Sequence, residues 1–263
     1  MGWRESESLT ISLGAITAAT WRSVEGYLRQ DWSPEQVAGY LAKRQVHVSH
    51  ERIYQHISAD KRAGGDLFGH LRCRKRRRKR YGSYDRRGRL KGCRSITERP
   101  AIVSEKRRVG DWEADTIIGQ HHHQALVSVV ERKSKLTLLK KVTRNTSEAV
   151  AQALEELLKP VRAKCHTITS DNGREFANHQ QIALELQAGF YFAHPYSSWE
   201  RGLNENTNGL VRQYFPKRSD FSKITDADVQ RVMDRLNNRP RKTLGYKTPN
   251  QVFFKQKPIA LTT

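Results

Sequence analysis

A long run of positively charged residues before the middle of the chain limits which parts of the chain can form a packed core. Residues 61–110 contain nineteen Lys or Arg against four Asp or Glu, which is +15 of the net charge of +21. Eight of the nine residues in 72–80 are basic. So many like charges cannot pack together without counter-ions. We therefore predict a basic linker at 61–108, either as a disordered tail or as an arm that follows nucleic-acid phosphates and becomes ordered on binding.

The composition narrows the class of protein. The chain has 263 residues, of which 37% are hydrophobic, enough for one large domain or two smaller ones. Its positive charge indicates a polyanionic partner, most often nucleic acid. The three cysteines, Cys73, Cys93 and Cys165, are odd in number and widely spaced, so they indicate neither a disulfide framework nor a zinc site. This cysteine usage fits a reducing cytoplasm. No apolar run approaches eighteen residues, and no signal peptide is visible.

A short helix is predicted at 21–30, with Trp21, Val24 and Leu28 on one face, and two further helices follow it before the linker. Ser33 can cap the first of these two, and Gln36 can complete a capping box with it. Ser49 can cap a second helix that carries Ile53 and Ile57 on one face. This pattern is typical of a helix-turn-helix, whose second helix enters the major groove, although a plain helical hairpin is the alternative. We predict a DNA-binding unit at 21–60, preceded by an ill-defined lead-in at 1–20. Its DNA-facing side chains would be Ser49, His50, Arg52 and Gln55.

From residue 109 the pattern alternates between strands and helices. Strands are predicted at 112–118, 125–131, 136–142, 166–169 and 190–193, and helices at 147–158, 179–186, 203–215 and 226–238. This order is compatible with the ribonuclease-H-like fold, an α/β fold with a mixed five-stranded sheet and flanking helices. We predict a catalytic domain of this kind at 109–256, followed by a tail at 257–263.

Three acidic residues of this domain are candidates for chemistry. Asp115 would lie in the first strand, Asp171 follows a short buried strand, and Glu205 lies in the helix predicted at 203–215. The first strand and the strand before Asp171 can lie side by side, with ligands collecting at strand ends. Divalent cations of the Mg²⁺ type take oxygen ligands, and three carboxylates can hold two ions for phosphoryl transfer. The prediction is a site for two Mg²⁺ ions, with Mn²⁺ as an alternative ion, and no protein nucleophile.

Each acid also has a simpler interpretation. Asp171-Asn172-Gly173 is an ordinary turn sequence. Asp115 could pair with an arginine, and Glu205 could be a solvated carboxylate on a helix face. The residues alone leave both interpretations open.

Several longer motifs carry a family resemblance. They lie at 32–39, 48–54, 111–115, 170–176, 194–202, 204–210, 212–217, 237–246 and 248–249. Together they resemble the transposases of bacterial insertion sequences of the IS-thirty family, within the wider group of Asp-Asp-Glu transposases and retroviral integrases. The resemblance covers residues 31–254 and implies that Asp115, Asp171 and Glu205 form a metal-binding triad. It also implies a basic residue seven positions after the glutamate, where Arg212 stands.

Two features depart from that family. Ala114 stands where the family usually has glycine, a small change beside Asp115. The family also carries a further amino-terminal helix-turn-helix region before Trp32, which this chain begins too late to hold. We therefore expect an open reading frame that is truncated or frame-shifted at its start, which would affect end binding but not the catalytic domain.

The resemblance implies a DNA transposase that nicks and joins strands at the ends of an insertion sequence. Its partners would be double-stranded DNA, as inverted repeats and target, and further copies of itself, in the bacterial cytoplasm and associated with the nucleoid. Further predicted DNA contacts are Arg74, Lys75, Arg76, Arg77, Arg78, Arg212, Lys217 and Trp199, the last by stacking on an unpaired base. Further predicted phosphate contacts are Arg218, Arg239, Arg241 and Lys242. A non-catalytic DNA-binding regulator, a decayed transposase and a general ribonuclease-H-type nuclease are the alternatives.

Overall fold

The computed structural model describes residues 16–72, 90, 92–120, 123–195 and 197–255. By its internal contacts the chain divides into two compact units, residues 1–71 and 72–263. The predicted linker contacts Arg74, Lys75, Arg76, Arg77 and Arg78 lie outside the described residues, as do most of the lead-in and the tail. Within the described part of the chain, no helix is both long and apolar enough to cross a membrane.

Three helices build the first unit, α1 (Ala18–Arg29), α2 (Pro34–Ala42) and α3 (His50–Arg62). Ser33 Oγ accepts a hydrogen bond from Gln36 N at 3.3 Å, and Gln36 Oε1 accepts one from Ser33 N at 2.9 Å. Ser49 Oγ accepts one from Arg52 N at 3.2 Å, at the start of α3. Both predicted helix starts are therefore confirmed. The helices enclose a small apolar core that includes Val24, Leu28, Val37, Ile53 and Ile57.

The end of the predicted linker packs on the second unit. Residues 92–108 include the short helix α4 (Ile102–Glu105), whose Val103 is fully buried. Arg108 pairs with the buried Asp111 at 2.8 Å. This part of the basic stretch can pack because some of its positive charge finds counter-ions in the second unit.

The second unit is built on one five-stranded sheet. Its strands are β1 (Asp111–Ile118), β2 (Ala125–Glu131), β3 (Thr137–Val142), β4 (Thr167–Ser170) and β5 (Gly189–Phe192), in the order β3-β2-β1-β4-β5. The first three form an antiparallel meander. β4 runs parallel to β1, and β5 runs parallel to β4. This is the ribonuclease-H-like mixed sheet, and the predicted pairing of the first strand with the strand before Asp171 is confirmed.

Helices cover both faces of the sheet. They are α5 (Ser147–Leu158), α6 (His179–Leu186), α7 (Gly202–Tyr214) and α8 (Asp226–Asn237), followed by the short α9 (Pro249–Phe253). α5 and α6 pack in one core with Trp112 and Ala114 of β1, and α7 and α8 pack in another with Ile117 of β1. The predicted strands and helices of this unit are confirmed with bounds within one residue, but α4 and α9 were not predicted. In the first unit, α1 begins three residues before the helix predicted at 21–30.

Candidate active site

The strand β1 carries three acidic side chains on one face, and two of them, Glu113 and Asp115, contact α7. Asp111, Glu113 and Asp115 alternate with Trp112 and Ala114, so they share one face of the sheet. Asp111 and Glu113 are each about 1% exposed. The side chain of Asp115 is 20% exposed. Of these three acids, Asp115 is the one that can meet a ligand from solvent.

The helix α7 runs along β1 and contacts it at regular intervals. Asn204 N donates to Glu113 Oε2 at 3.1 Å, Asn208 Nδ2 donates to Asp115 Oδ2 at 2.8 Å, and Arg212 Nη2 donates to the carbonyl of Ile118 at 2.7 Å. Four helix residues rise about 6 Å, and two strand residues rise about 6.6 Å. The first two contacts therefore keep nearly the same spacing on both elements. The third lies three strand residues further on and is reached by the long side chain of Arg212, so α7 is fixed against β1 at three points.

Asp115 and Asp171 come together around one guanidinium group. Asp115 Oδ1 accepts from Thr116 N at 2.9 Å, and Asp171 Oδ1 accepts from Gly173 N at 3.0 Å. Both Oδ2 atoms face Arg201, with Nη1 at 3.5 Å from Asp115 and Nη2 at 3.2 Å from Asp171. The structure thus brings two of the three predicted acids together and places a cation beside both.

The charge of this pair is only partly balanced. Burial raises the pKa of Asp115 to about 6, while Arg201 acts in the opposite direction and the negative charge of Asp171 adds to the rise. A raised pKa means that the environment disfavours the carboxylate form. Additional positive charge at this point would therefore stabilise the ionised pair.

The third predicted acid, Glu205, is on α7 but stands apart from the aspartates. It lies one helical turn after Arg201 and is exposed. Among the residues that the structure describes, no group of three or more His, Cys, Asp or Glu side chains is arranged to hold a metal ion. The three acids therefore do not form one cluster in this structure, and the role of Glu205 in a triad stays a prediction.

Glu113 differs from Asp115 because its partners are complete. It forms a buried ion pair with Arg132, whose Nη1 donates to Glu113 Oε1, and its other oxygen accepts from Asn204 N. Arg132 Nε in turn donates to the carbonyl of Val103 at 3.2 Å. These contacts join β1 to the start of α7 and to α4, so Glu113 stabilises the elements that surround the site.

Sequence reasoning missed three residues that surround the acids. Arg201 lies just before the helix predicted at 203–215, and Asn208 lies three residues after Glu205 on the same helix face. That spacing could have revealed Asn208. Ser128 pairs opposite Asp115 in the β1–β2 register, and its Oγ donates to Asn208 Oδ1 at 3.1 Å. This contact depends on strand register, which the sequence did not supply.

The predicted DNA contacts of the second unit have different surroundings. Trp199 is 74% exposed in the turn before α7, and Lys217 is exposed after it. Arg212 is half-buried, and besides its bond to β1 it donates to the carbonyl of Pro216 at 3.2 Å. Arg239 is 2% exposed and donates to Tyr214 Oη at 2.6 Å, so the predicted phosphate contact was wrong for this residue because packing removes it from the surface.

The predicted contacts of the first unit share the exposed face of α3. Ser49, His50, Arg52 and Gln55 are all exposed, while Ile53 and Ile57 face the core. Arg52 Nη1 donates to Gln55 Oε1 at 3.0 Å. This is the arrangement expected of a recognition helix, whose contact with DNA stays a prediction.

Comparison with known proteins shows which family the chain belongs to. It is 45% identical over 240 residues to the transposase for insertion sequence element IS4351 of Bacteroides fragilis, which covers 90% of this chain and 74% of that protein. It is 34% identical over 250 residues to transposase InsI for insertion sequence element IS30A of Escherichia coli (strain K12), which covers 89% of this chain and 64% of that protein. No protein-family model matches the sequence.

Among solved structures, the chain is similar to the HTLV-2 integrase catalytic core domain in complex with magnesium. The identity is 18% and the TM-score is 0.44, over 56% of this chain and 99% of that one. The sequence relatives are sufficient by themselves to assign the family, because the match to the Bacteroides fragilis protein covers nine-tenths of the chain at 45% identity. The chain belongs to the IS30-type family of insertion-sequence transposases.

Proposed function

We propose that this transposase cleaves and joins DNA by phosphoryl transfer at Asp115, Asp171 and Glu205, with two Mg²⁺ or Mn²⁺ ions. The observation that supports this most is the shared guanidinium. Two carboxylates, one in β1 and one directly after the neighbouring parallel strand β4, turn one oxygen each toward a single positive group, Arg201. Such an arrangement suits a divalent cation.

The donor set fits the proposed ions. All three side chains supply carboxylate oxygens, which Mg²⁺ prefers. Burial raises the pKa of Asp115 despite the nearby Arg201, so additional positive charge beside the pair would favour its ionised form. Glu205 lies one turn from Arg201 on the adjacent helix and is exposed, so its side chain is available as a third donor. Bound ions would supply activation of the attacking oxygen and stabilisation of the leaving oxygen.

The other residues of the site would position the acids and the DNA. Thr116 N and Gly173 N hold the Oδ1 atoms of the aspartates, and Asn208 orients Asp115 Oδ2. Trp199 exposes a large aromatic surface that could stack on an unpaired base. Lys217 would neutralise phosphate charge. The attacking group would be water during nicking and a 3′-hydroxyl during joining, so no side chain acts as nucleophile.

The proposed partner is double-stranded DNA, at the inverted repeats of the element and at the target. The exposed polar face of α3 would contact the major groove. Two ends must be processed together, so a homo-oligomer is part of the proposal. The protein would act in the bacterial cytoplasm on the DNA of the nucleoid.

Nicking of supercoiled plasmid with Mg²⁺ or Mn²⁺ tests the catalytic part of the proposal. Glu205→Gln should abolish metal-dependent nicking. Glu185→Gln makes the same change at an exposed position of α6, which packs with the other core of the sheet, and should leave the rate unchanged. Equal nicking by wild type and Glu205→Gln would reject the triad.

Two further outcomes distinguish the alternative functions. DNA binding without metal-dependent nicking in either protein would favour the non-catalytic regulator or the decayed transposase. Nicking without joining of an oligonucleotide that carries an element end would favour a general nuclease.

A further inference from the structure

Arg201 is an unusual side chain for the edge of a metal site. Its side chain is 12% exposed, and its guanidinium pairs with both Asp115 and Asp171. Its Nε and Nη1 atoms are buried and have no hydrogen-bond partner among the described residues. A buried guanidinium ordinarily has its donors satisfied, because an unpaired polar group costs free energy. The position of Arg201 therefore depends mainly on the charge of the two aspartates.

The guanidinium faces the same oxygens that the proposed ions would need. In each aspartate Oδ1 is taken by a backbone N–H, from Thr116 or Gly173. Both contacts of Arg201 are made to Oδ2 atoms. Like charges in a partly buried site repel strongly. A divalent ion on the Oδ2 atoms and the present position of the guanidinium therefore exclude each other.

Arg201 is also joined to the residues that would meet DNA. It ends the turn Ser198–Arg201, which carries the exposed Trp199, and it precedes the first residue of α7. Glu205 follows it by one helical turn. A movement of Arg201 away from the aspartates would therefore act on the turn of Trp199 and on the end of α7 that carries Glu205.

We propose that Arg201 is a positioning residue that takes the place of the metal ions until they bind. Its charge keeps Asp115 and Asp171 turned toward one point, and it leaves that point when ions enter. This inference rests on the proposed metal site. It predicts that removing the positive charge of Arg201 has two opposite effects. The metal-free protein becomes less stable, and metal binding becomes tighter because the guanidinium no longer competes with the ions.

The experiment compares the full chain with Arg201→Met, which keeps the length of the side chain but removes its charge. Thermal unfolding is followed in EDTA and in excess Mn²⁺, and Mn²⁺ binding without DNA is measured by calorimetry. In EDTA, Arg201→Met should melt below wild type, and Mn²⁺ should raise its melting temperature more than that of wild type. Its Mn²⁺ dissociation constant should fall by about 5- to 150-fold, the usual range for two coupled binding equilibria.

Three further variants complete the test. Arg201→Lys keeps a charge that cannot form a bidentate pair, so it should change the same quantities in the same direction but less. Arg231→Met removes an exposed arginine that pairs with Asp228 on α8, and should change neither the metal-induced shift nor the dissociation constant. Asp171→Asn should abolish the metal-induced shift.

The outcomes separate this inference from the proposed function. If Arg201→Met lowers stability equally in EDTA and in Mn²⁺, with unchanged or weaker Mn²⁺ binding, Arg201 is only a structural ion pair and the inference is wrong. In that case the shift of wild type and its loss in Asp171→Asn would still support the metal site. If wild type itself shows no metal-induced shift, the metal site and the inference both fail.

Discussion

Glu113 and Asp115 are two carboxylates on one face of one strand, and the structure treats them differently. Glu113 is buried and has both oxygens engaged, by Arg132 and by Asn204 N. Asp115 is partly exposed, and its ion pair with Arg201 is 3.5 Å long. Strand alternation gives the two side chains the same direction. Their partners differ: Glu113 is fixed in a buried ion pair that supports the surrounding structure, whereas Asp115 can exchange its cation.

The difference follows from the cost of burying charge. A buried carboxylate without a complete set of partners is strongly destabilising, so Glu113 requires Arg132. Around the partly exposed Asp115, water and ligands can replace some of the protein groups that would otherwise stabilise a carboxylate. Asp115 can therefore keep a weaker partner, as a binding site requires.

The largest expected effect is on the buried member of the comparison. Glu113→Ala leaves the Arg132 guanidinium buried without its counter-ion, which should cost about 3–5 kcal/mol of unfolding free energy. Urea denaturation measures this loss. Adding Arg132→Met to Glu113→Ala should recover part of it. A loss below about 1 kcal/mol, the level of an exposed pair, would show that Glu113 is not a structural residue.

Asp115→Asn should have the opposite effect from Glu113→Ala, with a large loss of nicking activity and little loss of stability. Nicking should fall by at least about 10²–10³-fold, the range for losing one electrostatic contact to a transition state. Stability should be maintained, because the amide removes a charge whose ionisation burial disfavours. Initial rates of plasmid nicking and a melting curve measure both quantities. Nearly normal nicking would remove the distinction between the two carboxylates.

Asn208→Ala removes the hydrogen bond that Asn208 donates to Asp115 and leaves the contacts of Glu113 in place, so it tests the two carboxylates separately. Partners of metal ligands typically contribute about 10- to 100-fold in metal affinity. We expect a loss in that range for Mn²⁺ by calorimetry, with little change in melting temperature. Asn206→Ala is the matched control, because Asn206 is exposed on the same helix. Equal metal binding by wild type and Asn208→Ala would contradict the assigned role.

The smallest expected effect concerns the far end of the same helix. Arg212→Ala should lower stability by about 1–2 kcal/mol, because the carbonyls of Ile118 and Pro216 lose a charged donor, and partial exposure reduces this value. The exposed Lys217→Ala should instead weaken DNA binding at unchanged stability. Melting curves and salt-dependent DNA binding distinguish the two. If Arg212→Ala weakened DNA binding without loss of stability, Arg212 would be a DNA contact.

The strands and helices of the second unit could be predicted because their signals are local, whereas the strand pairing was expected from the element order of the ribonuclease-H-like fold. Apolar periodicity located the strands and helices, and the expected pairing of two strands brought Asp115 near Asp171. The packing of α4 was hidden by the charge around it, since one buried residue, Val103, gives no periodicity. Arg201 was missed because its partners lie 86 and 30 residues earlier in the chain and are defined only by tertiary contacts. Arg239 was predicted from its charge alone, which does not show burial.

The contacts of α7 with β1 fall every four residues of the helix, which has a consequence for how this part of the chain can vary. One residue inserted between Asn204 and Asn208 would turn the rest of α7 by about 100°. Asn208 and Arg212 would then lose Asp115 and Ile118 together, although no side chain had been replaced. Residues along this helix can be substituted one at a time, but insertions and deletions should be confined to segments beyond its ends.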